Sequence, residues 1–325
     1  MAMEMNDVSA MLADTAERLF ATHAEGIESA ARAGTWADAA WAAIEESGLP
    51  LALVPEEHGG FGIPASEALA LIRLTGRHAL ALPLAETMIG NVVLASAGLP
   101  LAEGPVGLAE HAEARVPWGR FAKTIVVGSE TGVQRHGSSP VAAESTNVAG
   151  HPRDQISVLP GQTGSRAEVS LLELGALARA MQMAGALERV LELTIEHVSS
   201  RVQFGRPLAK FQAIQQELAK LAGEVAAASA AADHAADTYA TGGDLTFAVA
   251  VARTRIGEAA SKATAIGHQL HGAIGFTREH ALHRFTTALW AWRDEFGTQR
   301  YWTLALGKRA LTAGRDGYWP MVVAA

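Results

Sequence analysis

The sequence predicts a mostly α-helical protein with a small β insert. It divides into a helical N-terminal domain (1–100), a reduced β domain (101–168) and a C-terminal antiparallel four-helix bundle (169–325). Three observations predict this. Apolar residues recur at helical spacing through the first hundred residues and again from 169 onward. Between them, Gly, Pro, Ser and Thr become frequent and short β-branched runs replace the helical period. In the last part, long amphipathic segments are joined by short breaks, which makes neighbouring helices antiparallel.

The elements follow in order. VSAMLADTAERLFATHA (8–24) and TWADAAWAAIEESG (35–48) each carry an apolar stripe, and Gly48 closes the second as a C-cap. Pro55 and the pair Gly59-Gly60 then enforce a loop. Pro64-Ala65-Ser66 opens a third helix, with Glu67 placing negative charge at its N-terminus. A further apolar segment runs to SAGLP (96–100). TIVVG (124–128) and QISVL (155–159) suit strands. From 169 to 201 runs one long helix, with Gly175 and Gly185 allowing close helix contacts. RVQFGRPLAKFQ (201–212) interrupts it, Pro207 marking the turn. A second long helix ends at Gly242-Gly243, and a third begins at Asp244, which reads as its N-cap. HALHRFTTALWAWRDE (280–295) and FGTQRYWTLALGKRAL (296–311) give a fourth and a fifth. There are no tandem repeats of about 20–50 residues.

The 325 residues are 49% hydrophobic and 18% charged, enough to bury a large core and too apolar for disorder. A formal net charge of −8 argues against a nucleic-acid partner. With no cysteine, the chain has neither disulfides nor thiolate chemistry. The acidic amphipathic start is unlike a signal peptide, and no uncharged apolar run reaches about 18 residues. The expectation is therefore a cytoplasmic protein with no membrane span.

Three segments carry chemistry. VPEEHGGFG (54–62) alone is what any sharp surface turn could use, and Glu56 and Glu57 read as turn acids. In RVQFGRPLAKFQ, Arg201 offers a planar fork suited to a diphosphate, Phe204-Gly205 lets an aromatic face and open backbone approach a flat ligand, and Gln212 can donate and accept. The alternative is a helix–turn–helix corner with an exposed arginine. QLHGAIGFTREHALHR (269–284) is rich in small residues that permit close backbone approach, and no strand precedes it to make it a dinucleotide fingerprint. Glu279, His280 and His283 lack the spacing of a known zinc motif, so no metal is expected and they read as a solvated helix start.

Together, in this order and spacing, the three segments resemble the acyl-CoA dehydrogenase family over nearly the whole chain. The match is strong in the first hundred residues and in the bundle, and weak between 101 and 168. The resemblance implies α,β-dehydrogenation of an acyl-CoA thioester with FAD as hydride acceptor. It also implies a homo- or hetero-oligomer, a dimer or tetramer, whose FAD motifs serve a neighbouring subunit, and an electron-transferring flavoprotein as electron acceptor. Arg201, Gln203, Phe204 and Gln212 take the role of holding the flavin, with Arg201 on the pyrophosphate. Gln269 and Gly272 take its adenosine end, and Thr298 joins the cofactor set. Gly272-Ala273 stands where the family often has two glycines.

Two departures matter. The family's loop resembling TEPxxGSD is missing between 101 and 168. The catalytic carboxylate is also displaced. One of the family's two locations for it falls on Gly175, which cannot act, and the other, a Glu-Gly-Thr turn, reads Phe296-Gly297-Thr298. Glu295, one residue earlier, is the first candidate base and Asp294 the second, though one residue on a helix rotates a side chain by about 100°. The other reading makes both acids a helix end, paired with Arg293 or Arg300, and then Glu295→Gln leaves turnover unchanged. Two versions of the enzyme follow: a self-sufficient chain using Glu295, or a partner subunit that completes the FAD site of a full-length paralogue. A flavin-free acyl-CoA-binding scaffold is the third possibility.

Overall fold

A computed structural model of the chain describes residues 2–111, 113, 115–129, 132–167 and 169–324. Contacts divide it into two compact units, Met1–Ala178 and Arg179–Ala325. The first unit begins with four helices: α1 (Ala2–Ala33), α2 (Asp38–Glu46), α3 (Ala65–Arg77) and α4 (Leu84–Ser96). Leu12, Ala16, Phe20 and Ile27 form one buried stripe of α1, which packs on α2 and α3. Gly48 ends α2 in a left-handed conformation (φ +77°), its N–H donating to Glu45 O at 3.0 Å. A Cβ there would sit 2.4 Å from the Phe61 ring, so the cap and the following loop both require glycine. Helix α4 is buried on almost every side, and its Asn91 accepts from the Ala102 N–H (2.8 Å) and donates to Pro50 O (3.3 Å).

Among the described residues seven short strands follow: β1 (Val106–Ala109), β2 (Arg115–Pro117), β3 (Thr124–Ser129), β4 (Gly132–Gly137), β5 (Val141–Ala143), β6 (Arg153–Ile156) and β7 (Gln162–Thr163). They form two sheets, in the orders β1-β3-β4-β7 and β2-β6-β5, with β1 and β3 parallel and the other pairs antiparallel. Ala109, Val116, Ala122, Ile125, Val127 and Ile156 make a core drawn from both sheets. The expected TIVVG strand is β3. The expected QISVL strand is misplaced: only Gln155 and Ile156 belong to β6, which begins at Arg153. The reason lies in Asp154, a polar residue that a hydrophobic pattern skips and that anchors the strand.

The Asp154 side chain is 0% exposed and accepts from Arg120 N (2.9 Å), Nε (3.0 Å) and Nη2 (2.6 Å) and from Ser145 N (3.0 Å). Burial alone would raise its pKa, but the Arg120 side chain and the two backbone amides outweigh burial and hold it below the ordinary carboxylate value. A carboxylate with a depressed native pKa adds stability above its unfolded pKa of 3.8, and that stability is lost as pH falls through the native value. Asp154→Asn should therefore cost about 1–3 kcal/mol at pH 7 and flatten the loss of stability below pH 3.8, as read from urea midpoints across pH.

Helix α5 (Leu171–Ser200) runs out of the first unit into the second. The second unit continues with β8 (Val202–Gln203), β9 (Arg206–Pro207), α6 (Gln212–Thr241), α7 (Leu245–His271), α8 (Leu282–Trp292) and α9 (Gln299–Ala324). Helix α6 ends at Gly242 (φ +71°), and Asp244 caps α7 by accepting from Phe247 N at 3.1 Å, as expected. Helix α7 packs along α6 and against α8 and α9. Its contact positions are small, with Ala248, Ala252, Ala259 and Ala263 buried, so helices approach closely. Two expected ends move. Helix α8 stops at Trp292, not at Glu295, and α9 continues past Leu311 through a kink at Gly314. Among the described residues, no helix is long and apolar enough to cross a membrane.

Candidate functional site

The RVQFG segment folds into the β8–β9 hairpin. Phe204 and Gly205 form its tip with φ of +50° and +78°. Phe204 holds a conformation unusual for a side-chain-bearing residue, and its ring is 91% exposed, meeting Phe211 edge-on at 6.3 Å. The Arg206 guanidinium lies 4.1 Å above the Phe211 ring. Arg201, Gln203 and Gln212 are exposed, with the Arg201 backbone fixed by His197 O and Leu208 N, both at 2.9 Å. The hairpin thus presents an aromatic face, an open backbone and a guanidinium, as flat polar-edged ligands require.

The glycine-rich segment ends α7. Gly272 turns the chain at φ +66°, and a Cβ there would meet nothing within 4 Å. Gly275 three residues on is tight: its Cβ would stand 2.8 Å from His271 Cβ. Gln269 and Gly272 open onto one cleft of about 830 Å³, whose wall includes His268, Phe276, Trp290 and Arg293. His268 stacks on Phe276 (4.1 Å, 16°) and more distantly on Trp290 (6.0 Å, 28°). Its Nε2 lies 3.1 Å from Thr286 Oγ1, while its buried Nδ1 has no partner. Burial first, and the charge of His283 second, hold its pKa below the ordinary imidazole value. An aromatic-walled cleft with an open glycine and a neutral imidazole suits a nucleotide-sized planar group.

The turn holding the acids is built differently. Glu295 is 1% exposed, and its Oε2 accepts from Arg179 Nε (2.8 Å) and Nη2 (2.6 Å). The Arg179 guanidinium also lies 5.4 Å from the Phe296 ring centroid. Arg253 Nη2 donates to four carbonyls, of Trp292, Arg293, Glu295 and Gly297, at 3.1, 3.0, 2.9 and 3.0 Å. Phe296 is left-handed (φ +51°), and Trp302 Nε1 donates to its carbonyl at 3.0 Å. So Arg179 is the partner that the structure gives Glu295, and Arg293 instead lines the cleft and donates to Ser261 Oγ at 2.9 Å. Asp294 is exposed. Thr298 caps α9, accepting from Tyr301 N at 3.2 Å, and lies outside the cleft lining. Gly175 is buried within α5, and Glu56 and Glu57 are exposed on a single 3-10 turn.

Sequence reasoning did not find His268, Phe276, Trp290, Arg179 or Arg253. Arg179 and Arg253 had a usable signal: each is a charged residue inside an otherwise apolar or small-residue run, LGALARAMQMAG and AVAVARTRIG. A buried arginine in such a stripe needs a partner and points to one. The first unit has its own cavity of about 650 Å³, with Glu110, His111, Arg166 and Glu173 on its wall, and nothing in the sequence singled these out.

The family model described as the acyl-CoA dehydrogenase C-terminal domain matches residues 162–311. The chain is 31% identical over 294 residues to the acyl-CoA dehydrogenase IpdE2 of Mycobacterium tuberculosis, covering 85% of this chain and 88% of that protein. Among solved structures, it superposes on the ChsE4-ChsE5 complex from Mycobacterium tuberculosis with a TM-score of 0.80 at 20% identity, over 94% of this chain and 96% of that one. Butyryl-CoA dehydrogenase from Megasphaera elsdenii gives 0.79 at 17% identity, over 94% and 98%.

Proposed function

The chain belongs to the acyl-CoA dehydrogenase family, and from that premise we propose that it is an FAD-holding subunit of an acyl-CoA-oxidising enzyme that completes the flavin site of a longer partner. One observation carries the reading. The flavin candidates Gln269 and Gly272 open onto a cleft, whereas Glu295, the best base candidate, is buried with its Oε2 given to Arg179. A general base must bring a lone pair to the substrate's α proton. A carboxylate held inside a structural ion pair does not. The solved ChsE4-ChsE5 complex, which has this fold, supports the mixed assembly in this reading.

In this reading Arg201 binds the diphosphate as a bidentate cation, while Phe204 and Gly205 receive a flat ring against an open backbone. Gln203 and Gln212 hydrogen-bond along the nucleotide. Gln269 and Gly272 close on the adenosine end, beside the stacked rings of His268 and Phe276. Thr298 contributes only by capping α9, which fixes the turn beside the cleft. Bound FAD supplies the hydride acceptor. The substrate is an acyl-CoA thioester, and an electron-transferring flavoprotein is the acceptor that family membership implies.

The test is a visible absorption spectrum with FAD counted per chain, first for the chain alone and then co-expressed with a longer paralogue. The expected result is no retained flavin alone and about one FAD per pair of chains together. One FAD per isolated chain, with turnover, would make the chain self-sufficient. No flavin in either preparation would favour a flavin-free acyl-CoA-binding protein.

A further inference from the structure

The His197–His271–His280 cluster lies outside the acyl-CoA dehydrogenase chemistry. Its three members come from three segments: the last turn of α5, the last turn of α7 and the turn before α8. Each offers a ring nitrogen, and the three nitrogens lie within 4.8 Å of one another. His197 and His271 stack at 4.4 Å, and His280 meets His271 edge-on at 4.6 Å and His197 at 6.0 Å.

The central ring settles which group the cluster suits. His271 is 6% exposed, and its Nδ1 lies 2.8 Å from Gly267 O. That carbonyl can only accept, so the Nδ1 carries the proton and the Nε2 carries a lone pair. The Nε2 is buried and has no hydrogen-bond partner. A backbone carbonyl fixing one nitrogen while the other stands bare is how histidine is oriented for a metal. A buried acceptor without a donor is otherwise costly.

We propose that His197, His271 and His280 form a binding site for one divalent transition-metal ion, zinc being the ion that best matches three imidazoles. Three nitrogens leave one tetrahedral position for water. The bare, buried Nε2 of His271 is the fixed point of the site, and the His197 and His280 rings pack against its ring. Loading the site has a defined cost. The Leu282 amide donates to His280 Nδ1 at 3.1 Å, and this bond is lost whichever ring nitrogen takes the ion, because Nδ1 either turns its lone pair to the metal or takes up the proton from Nε2. The amide belongs to the first turn of α8, where water is an adequate partner.

The ion would clamp the ends of α5 and α7 together, the ends from which Arg201 and the Gln269–Gly272 segment project. Its role is structural, and it does not depend on whether flavin binds.

The experiment is calorimetric titration of zinc chloride into the untagged full chain at pH 7.5, with the melting temperature measured with and without EDTA. The expected result is one zinc per chain and a higher melting temperature. His197→Gln and His280→Gln, both only half-buried, should each weaken binding at least about tenfold, while His58→Gln, exposed in the first unit, leaves it unchanged. The proposal is overturned if the wild-type chain takes up no zinc, or if the first two variants bind it as tightly as the wild type does.

Discussion

Replacing Glu295 by Ala should cost about 3–5 kcal/mol of stability, because it removes one member of a buried ion pair. Arg179 keeps its contacts with Gln182 and the Phe296 ring, but loses the carboxylate facing it from 2.6 Å. The loss should be smaller for Glu295→Gln, whose carbonyl oxygen can stand where Oε2 accepts both bonds from Arg179, without the charge. Removing both partners with Arg179→Met and Glu295→Leu should recover much of the loss, since apolar replacement of a buried pair is often neutral or better. Urea unfolding of the three variants reads these differences. The same Gln variant separates the two roles of Glu295. In the assembled enzyme, corrected for the folded fraction, its turnover should match that of the wild type. A drop of about 10²–10⁴-fold, the effect of losing a general base, would instead make Glu295 catalytic despite its pairing.

Glu295 also shows what the sequence left hidden. That a helix stops near the two acids was readable from Trp292 to Gly297, because a Gly-Thr step after an apolar helix is a turn signal, but the acids lie in the turn past Trp292 and not in the helix. Their partner was not readable. Arg179 lies 116 residues away, and local spacing offered only Arg293 and Arg300. The same contrast holds across the fold. The long helices were legible because burial of one face imposes a 3.6-residue period, so Asp244 and Gly242 marked their ends correctly. The β section was legible only at β3, where Ile125, Val126 and Val127 are consecutive and buried. The other strands are two to six residues long, and β4 reads Gly-Val-Gln-Arg-His-Gly; pairing in the sheet, not composition, makes them strands. In the cleft, Gln269 and Gly272 were reached through motif resemblance. His268 and Trp290 were not, because their meeting is a product of how α7 packs on α8.

Replacing Arg201 by Ala should leave the fold intact, since the side chain is exposed, yet lower FAD retention by the co-assembled enzyme by about 10–100-fold. That range follows from the 1.5–3 kcal/mol typical of hydrogen bonds to a charged group. The magnitude decides between the two readings of the hairpin. An arginine that merely decorates a helix–turn–helix corner contributes almost nothing when removed, because exposed charges on such corners are screened and well solvated. One that grips a diphosphate loses two charge-assisted bonds at once. Arg201→Lys sharpens the comparison: a lysine keeps the charge and loses the fork, so it should restore only part of the flavin. If charge alone mattered, lysine would restore all of it. Gln269→Ala, at the other motif, should add to the Arg201→Ala loss nearly independently if the two residues hold opposite ends of one nucleotide, since distant contacts combine additively. Flavin content equal to wild type in both single variants would leave the hairpin as a corner and remove the main support for a flavin held by this chain.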